Sequence, residues 1–238
     1  MPTGRILWVD MARTLALICM VVFHIVTDLA LFGHIPPHTP VTGGWAVFSR
    51  LIAGSFLFLA GLSLVLAHGA HISWRSYWRR LATILGAAGL VTLATWIAIP
   101  DTFVYFGILH SIAAAGIVGL CFLRAPVWLT IMAAGFIYVA PDLLRDDVFN
   151  GPWLLWLGLG TEVRPTIDYE PVLPWLAPAL MGIVAGRLAV TCDLWQRMPL
   201  PPPGSAVLAW PGRNSLAIYL IHQPVLIAII WAGTQVLG

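Results

Sequence analysis

Apolar residues run in long blocks along this chain, each closed by a short cluster of proline, glycine, arginine or acid. The blocks predict helices over residues 8–33, 45–68, 79–99, from just after Asp101 to Leu123, 127–140, 172–190 and 214–236. Most reach the ~20 residues that cross a bilayer core about 30 Å thick. The block at 127–140 is shorter and reads as tilted or shielded by neighbours. Residues 141–170 form the longest polar stretch. Within it, PWLLWLGLG is too short to span and reads as interfacial or re-entrant. HIPPHTPVTGG and PLPPPGS read as loop and stiff linker, GAHISWRSYWRR as a polar connector, and Pro224 as a kink in the last helix.

The first block departs from the greasy pattern. It carries Asp10, Arg13, His24 and Asp28. At about 100° per residue, Arg13, His24 and Asp28 fall within about 60° of Asp10, so one helix face is polar. An ionisable group in hydrocarbon costs roughly 2.5–3.5 kcal/mol on insertion scales, so such groups face a partner or a wet cavity.

Composition sharpens this picture. The chain has 238 residues, 60% of them hydrophobic and 9% charged, and its mean hydropathy is +0.90. The expected class is therefore all-α: a polytopic transmembrane bundle of about seven spans in a single domain over 1–238, with the lipid bilayer as a partner. All twelve basic residues are arginine, the net charge is +2, and they are spread over short loops, so no nucleic-acid partner is indicated. Cys19, Cys121 and Cys192 have no paired spacing, which argues against a disulfide framework or a zinc site. The first block is too long for a signal-peptide core and is expected to remain.

Arginine placement orients the bundle. Arg5, the trio Arg75, Arg79 and Arg80, then Arg124, then Arg187, Arg197 and Arg213 fall on one side. The other side holds Arg145 and Arg164 among six acids. Seven crossings with the N-terminus in the cytoplasm and the C-terminus outside satisfy every loop.

His24, His110 and His222 lie inside predicted spans, near the middle, in the outer third and in the inner third. Each alone reads equally well as a histidine bonded to a neighbouring helix. Together with Asp28 and Arg50 they read as a functional set. Asp28, one turn beyond His24, is placed to fix its tautomer and raise its basicity. Asp10 and Arg13 read equally well as a local ion pair at the cytoplasmic entry. His34 and His38 flank two prolines, which argues against a metal pair, and no metal is expected. His68 and His71 read as solvated loop residues. WRSYWRR is foremost an interfacial anchor, and its arginines alternatively hold a phosphorylated cofactor.

WVDMARTLALICMVVFHIVTDL, SRLIAGSFLFLAG, FGILHSI, DYEPVLPWLAPALMGIVAG and GRNSLAIYLIHQPVL occur in this order at the ends of predicted helices. In them the chain resembles the short bacterial form of membrane acyltransferases related to the catalytic domain of heparan-alpha-glucosaminide N-acetyltransferase. It differs at Ala12-Arg13-Thr14, where Arg-Gly is usual in that family. The resemblance implies acyl transfer from cytosolic acyl-CoA, with acetyl-CoA as donor, to a sugar or other amine or hydroxyl acceptor at the outer face. It also implies a bacterial inner-membrane location and admits a homodimer.

Site residues carried by the resemblance are His24, Asp28, Arg50, His110, Asp168, Arg213, His222 and Gln223, with Phe32-Gly33-His34 resembling the position of the family's catalytic histidine. In this reading His24 or His34 is the base or nucleophile and Asp28 orients His24. Arg50 and His110 hold the oxyanion or acceptor, and His222 completes the catalytic set. Asp168 and Gln223 contact substrate. Arg13, Arg75, Arg79, Arg80 and Arg213 are the candidates for CoA phosphates. The alternatives are a proton-coupled transporter using the His/Asp/Arg relay and a non-catalytic subunit retaining the fold. The absence of a clear internal repeat counts against the transporter.

Overall fold

The computed structural model describes residues 6–199 and 201–237. Arg5 of the inner basic set and Leu200 of the proline linker lie outside the described residues. Among the described residues, regular structure is helical apart from one parallel bridge between Phe106 and Tyr169. The helices are α1 (Leu7–Leu31), α2 (Gly43–His68), α3 (Trp74–Ala98), α4 (Ile108–Phe122), α5 (Val127–Leu144), α6 (Val172–Thr191), the short α7 (Leu194–Arg197), α8 (Ser205–Leu208) and α9 (Trp210–Arg213), and α10 (Ser215–Leu237). Among the described residues, six helices (α1, α2, α3, α5, α6 and α10) are long and apolar enough to cross a membrane, and the chain is an integral membrane protein. The 15 residues of α4 fall below that length.

Three expectations are corrected. WRSYWRR is not a connector: it forms the first two turns of α3, because no proline or glycine interrupts the chain between Trp74 and Gly86. α5 does not stop at Ala140 but carries Pro141 into its final turn and ends at Leu144. His68 is not solvated: it ends α2 at 3% exposure with its ring edge-on to Tyr77. PWLLWLGLG forms turns and a short 3-10 segment, Leu155–Leu157, rather than a span.

The polar stripe of α1 faces inward, with Asp10, Thr14 and Asp28 buried, while Leu15, Ile18, Val22 and Ile25 are exposed at helical spacing. That is the reverse of a water-soluble helix and matches a lipid-facing one. α1 ends in a Schellman motif: Gly33 has φ +78°, its N–H bonds Ala30, and the His34 N–H bonds Leu29. His34 is thereby fixed at an exposed turn.

Contacts divide the chain into two compact units, Met1–Ala53 with Met198–Gly238, and Gly54–Arg197. In the first, α1 packs on α9 and α10. Asp10 lies beside Gly212, and further along Asp28 meets Gln223, so α10 runs parallel to α1. In the second unit, Gly61 meets Ala179 and Val65 meets Gly186, so the second half of α2 runs parallel to α6. A Cβ on Gly182 would overlap the Phe58 carbonyl, the close backbone approach that small residues permit in membrane bundles. α4 also runs parallel to α6. At one end Ser111 donates to the Glu170 carbonyl, and at the other Arg187 donates to the Phe122 and Ala125 carbonyls. α3 runs antiparallel to α4, with Tyr77 reaching Gly116 and Thr92 reaching His110.

Candidate active site

Within the first unit the sequence-predicted residues meet in two clusters. The first is anchored on Asp10, which is 2% exposed. Arg13 Nη1 donates to its Oδ1 at 2.8 Å, and Arg213 Nε lies 3.4 Å from Oδ2. Thr14 Oγ1 donates to the Leu208 carbonyl at 2.7 Å and accepts from the Gly212 N–H at 2.9 Å. Glycine is required there, since a Cβ on Gly212 would overlap the Asp10 carbonyl. Asp10 and Arg13 are the local ion pair read from the sequence, enlarged by Arg213. Arg13 and Arg213, two of the five arginines expected to meet CoA phosphates, are thus engaged with a carboxylate.

The second cluster joins α1 to α10. The rings of His24 and His222 are 4.9 Å apart at 59°. Four residues on along α1, Asp28 Oδ1 accepts from Gln223 Nε2 at 2.6 Å. Asp28 and His222 are 1% and 9% exposed. His222 Nδ1 lies 2.6 Å from the Tyr219 carbonyl. Four buried atoms here have no hydrogen-bond partner among the described residues: His24 Nδ1, Asp28 Oδ2, His222 Nε2 and Gln223 Oε1. The expected Asp28–His24 bond is absent among the described residues. Asp28 instead reaches across to α10, where Gln223 supplies a side-chain donor.

In the second unit, His110 and Asp168 meet at the start of α4. Asp168 Oδ2 accepts from the Ile108 N–H at 3.1 Å, and a Cβ on Gly107 would overlap this carboxylate. Burial pushes the Asp168 carboxyl up to about 6, against the opposing pull of the Ile108 bond. His110 Nδ1 accepts from the Gly107 N–H at 3.2 Å, which puts the ring proton on Nε2, facing Thr92 Oγ1 at 3.5 Å. Thr92 itself donates to the Val104 carbonyl. Both residues are therefore tied into the first turn of α4. Nearby, burial, Tyr169 and the opposing charge of Arg164 leave the Tyr105 hydroxyl pushed up to about 12.

The remaining candidates are exposed side chains. Arg50 is exposed near the start of α2, and His34 is exposed after α1. Arg75, Arg79 and Arg80 are exposed on the first turns of α3. Beside Arg80, the buried His68 and Tyr77 line a cavity of about 30 Å³. Sequence reasoning missed this pocket because His68 closes α2 next to a glycine, a position that reads as loop. It also missed Gly212, whose closeness to Asp10 has no local signature.

Fold and site together define a polytopic helical membrane protein with a buried histidine–carboxylate centre between two parallel helices. The chain matches the family model for the catalytic region of heparan-alpha-glucosaminide N-acetyltransferase over residues 5–224, and it belongs to that family. No curated protein and no solved structure matches it. Membership makes this a transferase-type enzyme of membrane acetyltransferase character.

Proposed function

We propose that the protein moves an acetyl group from cytosolic acetyl-CoA to a sugar or other amine or hydroxyl acceptor at the outer face of a bacterial inner membrane. The observation that carries this reading is the α1–α10 seam, where the buried His222 imidazole sits against the half-buried His24 ring beside a carboxylate–amide pair. Acyl transfer needs a group that takes the acceptor's proton as its nitrogen or oxygen attacks the thioester carbon, and such help is worth about 10² to 10⁴ in rate. His24 or His34 takes that role in the reading the resemblance implies. Only His24 of these two stands in the seam. Arg75, Arg79 and Arg80 extend together from the first turns of α3 and can meet the phosphates of CoA. The parallel runs of α1 with α10 and of α2 with α6 support seven crossings with α4 among them, and arginine placement supports the N-terminus inside. In an alternating path, α10 can run parallel to α1, and α6 parallel to α2, only if α4 also crosses.

The test is acetyl-CoA binding and transfer by the purified, reconstituted protein, with an Arg79→Ala/Arg80→Ala variant beside it. Micromolar binding that the variant weakens, with product formed on an amino sugar, is the expected result. No binding at millimolar acetyl-CoA would overturn the reading.

A further inference from the structure

In a neutral imidazole one nitrogen donates and the other accepts, so the partner of one fixes the role of the other. His222 Nδ1 faces the Tyr219 carbonyl oxygen at 2.6 Å. A carbonyl oxygen only accepts, so Nδ1 carries the proton and donates. The lone pair is then on Nε2, which is buried without a partner among the described residues. Gln223 obeys the same logic. Its Nε2 donates to Asp28 Oδ1, which leaves Oε1 as an acceptor. Oε1 and Asp28 Oδ2 are also buried and unpartnered.

Three buried acceptors on facing turns are a costly arrangement unless something brings donors to them. A group rich in N–H or O–H, such as an amine or hydroxyl on a sugar, meets that need. A thioester does not, since it has no donor at its reacting end. The other histidines compare poorly as bases. His110 has its lone pair occupied by the Gly107 N–H and its other nitrogen beside Thr92. His34 is exposed on the turn after α1. His24 has a buried, unpartnered Nδ1, but no bond among the described residues fixes its tautomer.

We infer that His222 Nε2 is the proton acceptor of the transfer reaction, that the Tyr219 carbonyl is the positioning group that fixes its tautomer, and that Asp28 Oδ2 and Gln223 Oε1 receive further donors of the acceptor substrate. This rests on the acetyltransferase reading above. As the acceptor nitrogen or oxygen attacks the acetyl carbonyl carbon, its proton passes to Nε2. The new N–C or O–C bond forms and the C–S bond of acetyl-CoA breaks. CoA leaves as thiolate and takes the proton back from the imidazolium. The products are acetylated acceptor and CoA, and His222 is restored with its proton on Nδ1, still donated to the Tyr219 carbonyl.

Two measurements on the full chain in nanodiscs test this. In ¹⁵N-histidine NMR, with His222→Ala used to assign the signal, the His222 ring is expected protonated at Nδ1 and bare at Nε2. A ring protonated at Nε2 overturns the inference without any need for activity. In transfer from acetyl-CoA to glucosamine, His222→Ala is expected to lower kcat by about 10² to 10⁴ with KM for acetyl-CoA unchanged, and added imidazole is expected to recover part of the rate. A wild type that transfers while His222→Ala stays within about threefold of it sinks the inference and leaves the acetyltransferase reading standing. A wild type that neither binds acetyl-CoA nor transfers removes that reading and the inference with it.

Discussion

Gln223 donates its side-chain N–H to Asp28 Oδ1 across 2.6 Å, joining residues 195 positions apart. The bond ties the C-terminal half of α1 to α10 one helical turn beyond the His24–His222 contact. Gln223→Leu would leave a buried carboxylate oxygen without its donor, which costs about 1–3 kcal/mol, and more if the group is charged. Replacing both partners with leucine removes the polar atoms together. The double variant is therefore expected to unfold at a higher temperature than Gln223→Leu alone, in thermal scans of detergent-solubilised protein. A double variant as unstable as the summed singles would mean that the two side chains are not coupled.

Gly212 carries a second, purely steric prediction. A Cβ there would strike the Asp10 carbonyl, backbone against backbone, with no flexible side chain to yield. Gly212→Ala is expected to destabilise by about 1–3 kcal/mol and to loosen the Arg213–Asp10 pair. Gly233→Ala is the control, since a Cβ there meets nothing within 4 Å. Equal thermal stability of the two variants would contradict the close approach of α1 and α9.

What the sequence made legible follows from the physics of single helices. Runs of apolar residues and their proline and glycine stops located the long helices within a few residues, and the 100° period showed that Asp10, Arg13, His24 and Asp28 share a face. Pairings across helices have no such local signal. Asp28 seemed destined for His24 because the two are one turn apart, yet its donor lies far along the chain. WRSYWRR looked like a connector because it is polar, but tryptophan, tyrosine and arginine all tolerate helix, and α3 begins there. The sequence marks His222 as a candidate but cannot distinguish its two nitrogens, which the Tyr219 carbonyl does.

Asp168 gives a pH prediction. Its folded pKa is raised from 3.8 to about 6 by burial, so the folded state holds its proton more tightly than the unfolded chain. The sign follows directly. Its contribution is most favourable below the unfolded pKa and is lost as pH rises through the folded one. Asp168→Asn keeps a side-chain oxygen to accept the Ile108 N–H and cannot ionise. Between pH 4 and 6.5 the wild type is expected to lose more thermal stability than this variant. Parallel curves for the two proteins would show that Asp168 does not titrate in that window.

The crossing count can be read from three exposed positions in the second unit. His71 follows α2, Glu162 precedes α6, and Gln196 follows it. With α4 crossing, His71 and Gln196 share the cytoplasmic face and Glu162 lies outside. Without it, the path after α3 inverts: Glu162 joins His71 and Gln196 moves to the opposite face. The 15 residues of α4 rise only about 22 Å, short of a core of about 30 Å, so length alone argues against a crossing. Against that, α4 keeps pace with α6 from the Ser111–Glu170 contact to the Arg187–Ala125 contact. His71→Cys, Glu162→Cys and Gln196→Cys, each in a background with Cys19, Cys121 and Cys192 replaced by serine, would be treated with a membrane-impermeant maleimide in vesicles of known orientation. Labelling of His71→Cys and Gln196→Cys from the cytoplasmic side alone, and of Glu162→Cys from the other, is expected. Labelling of His71→Cys and Glu162→Cys from one side would remove α4 from the count, and the parallel runs of α2 and α6 would then contradict an alternating path.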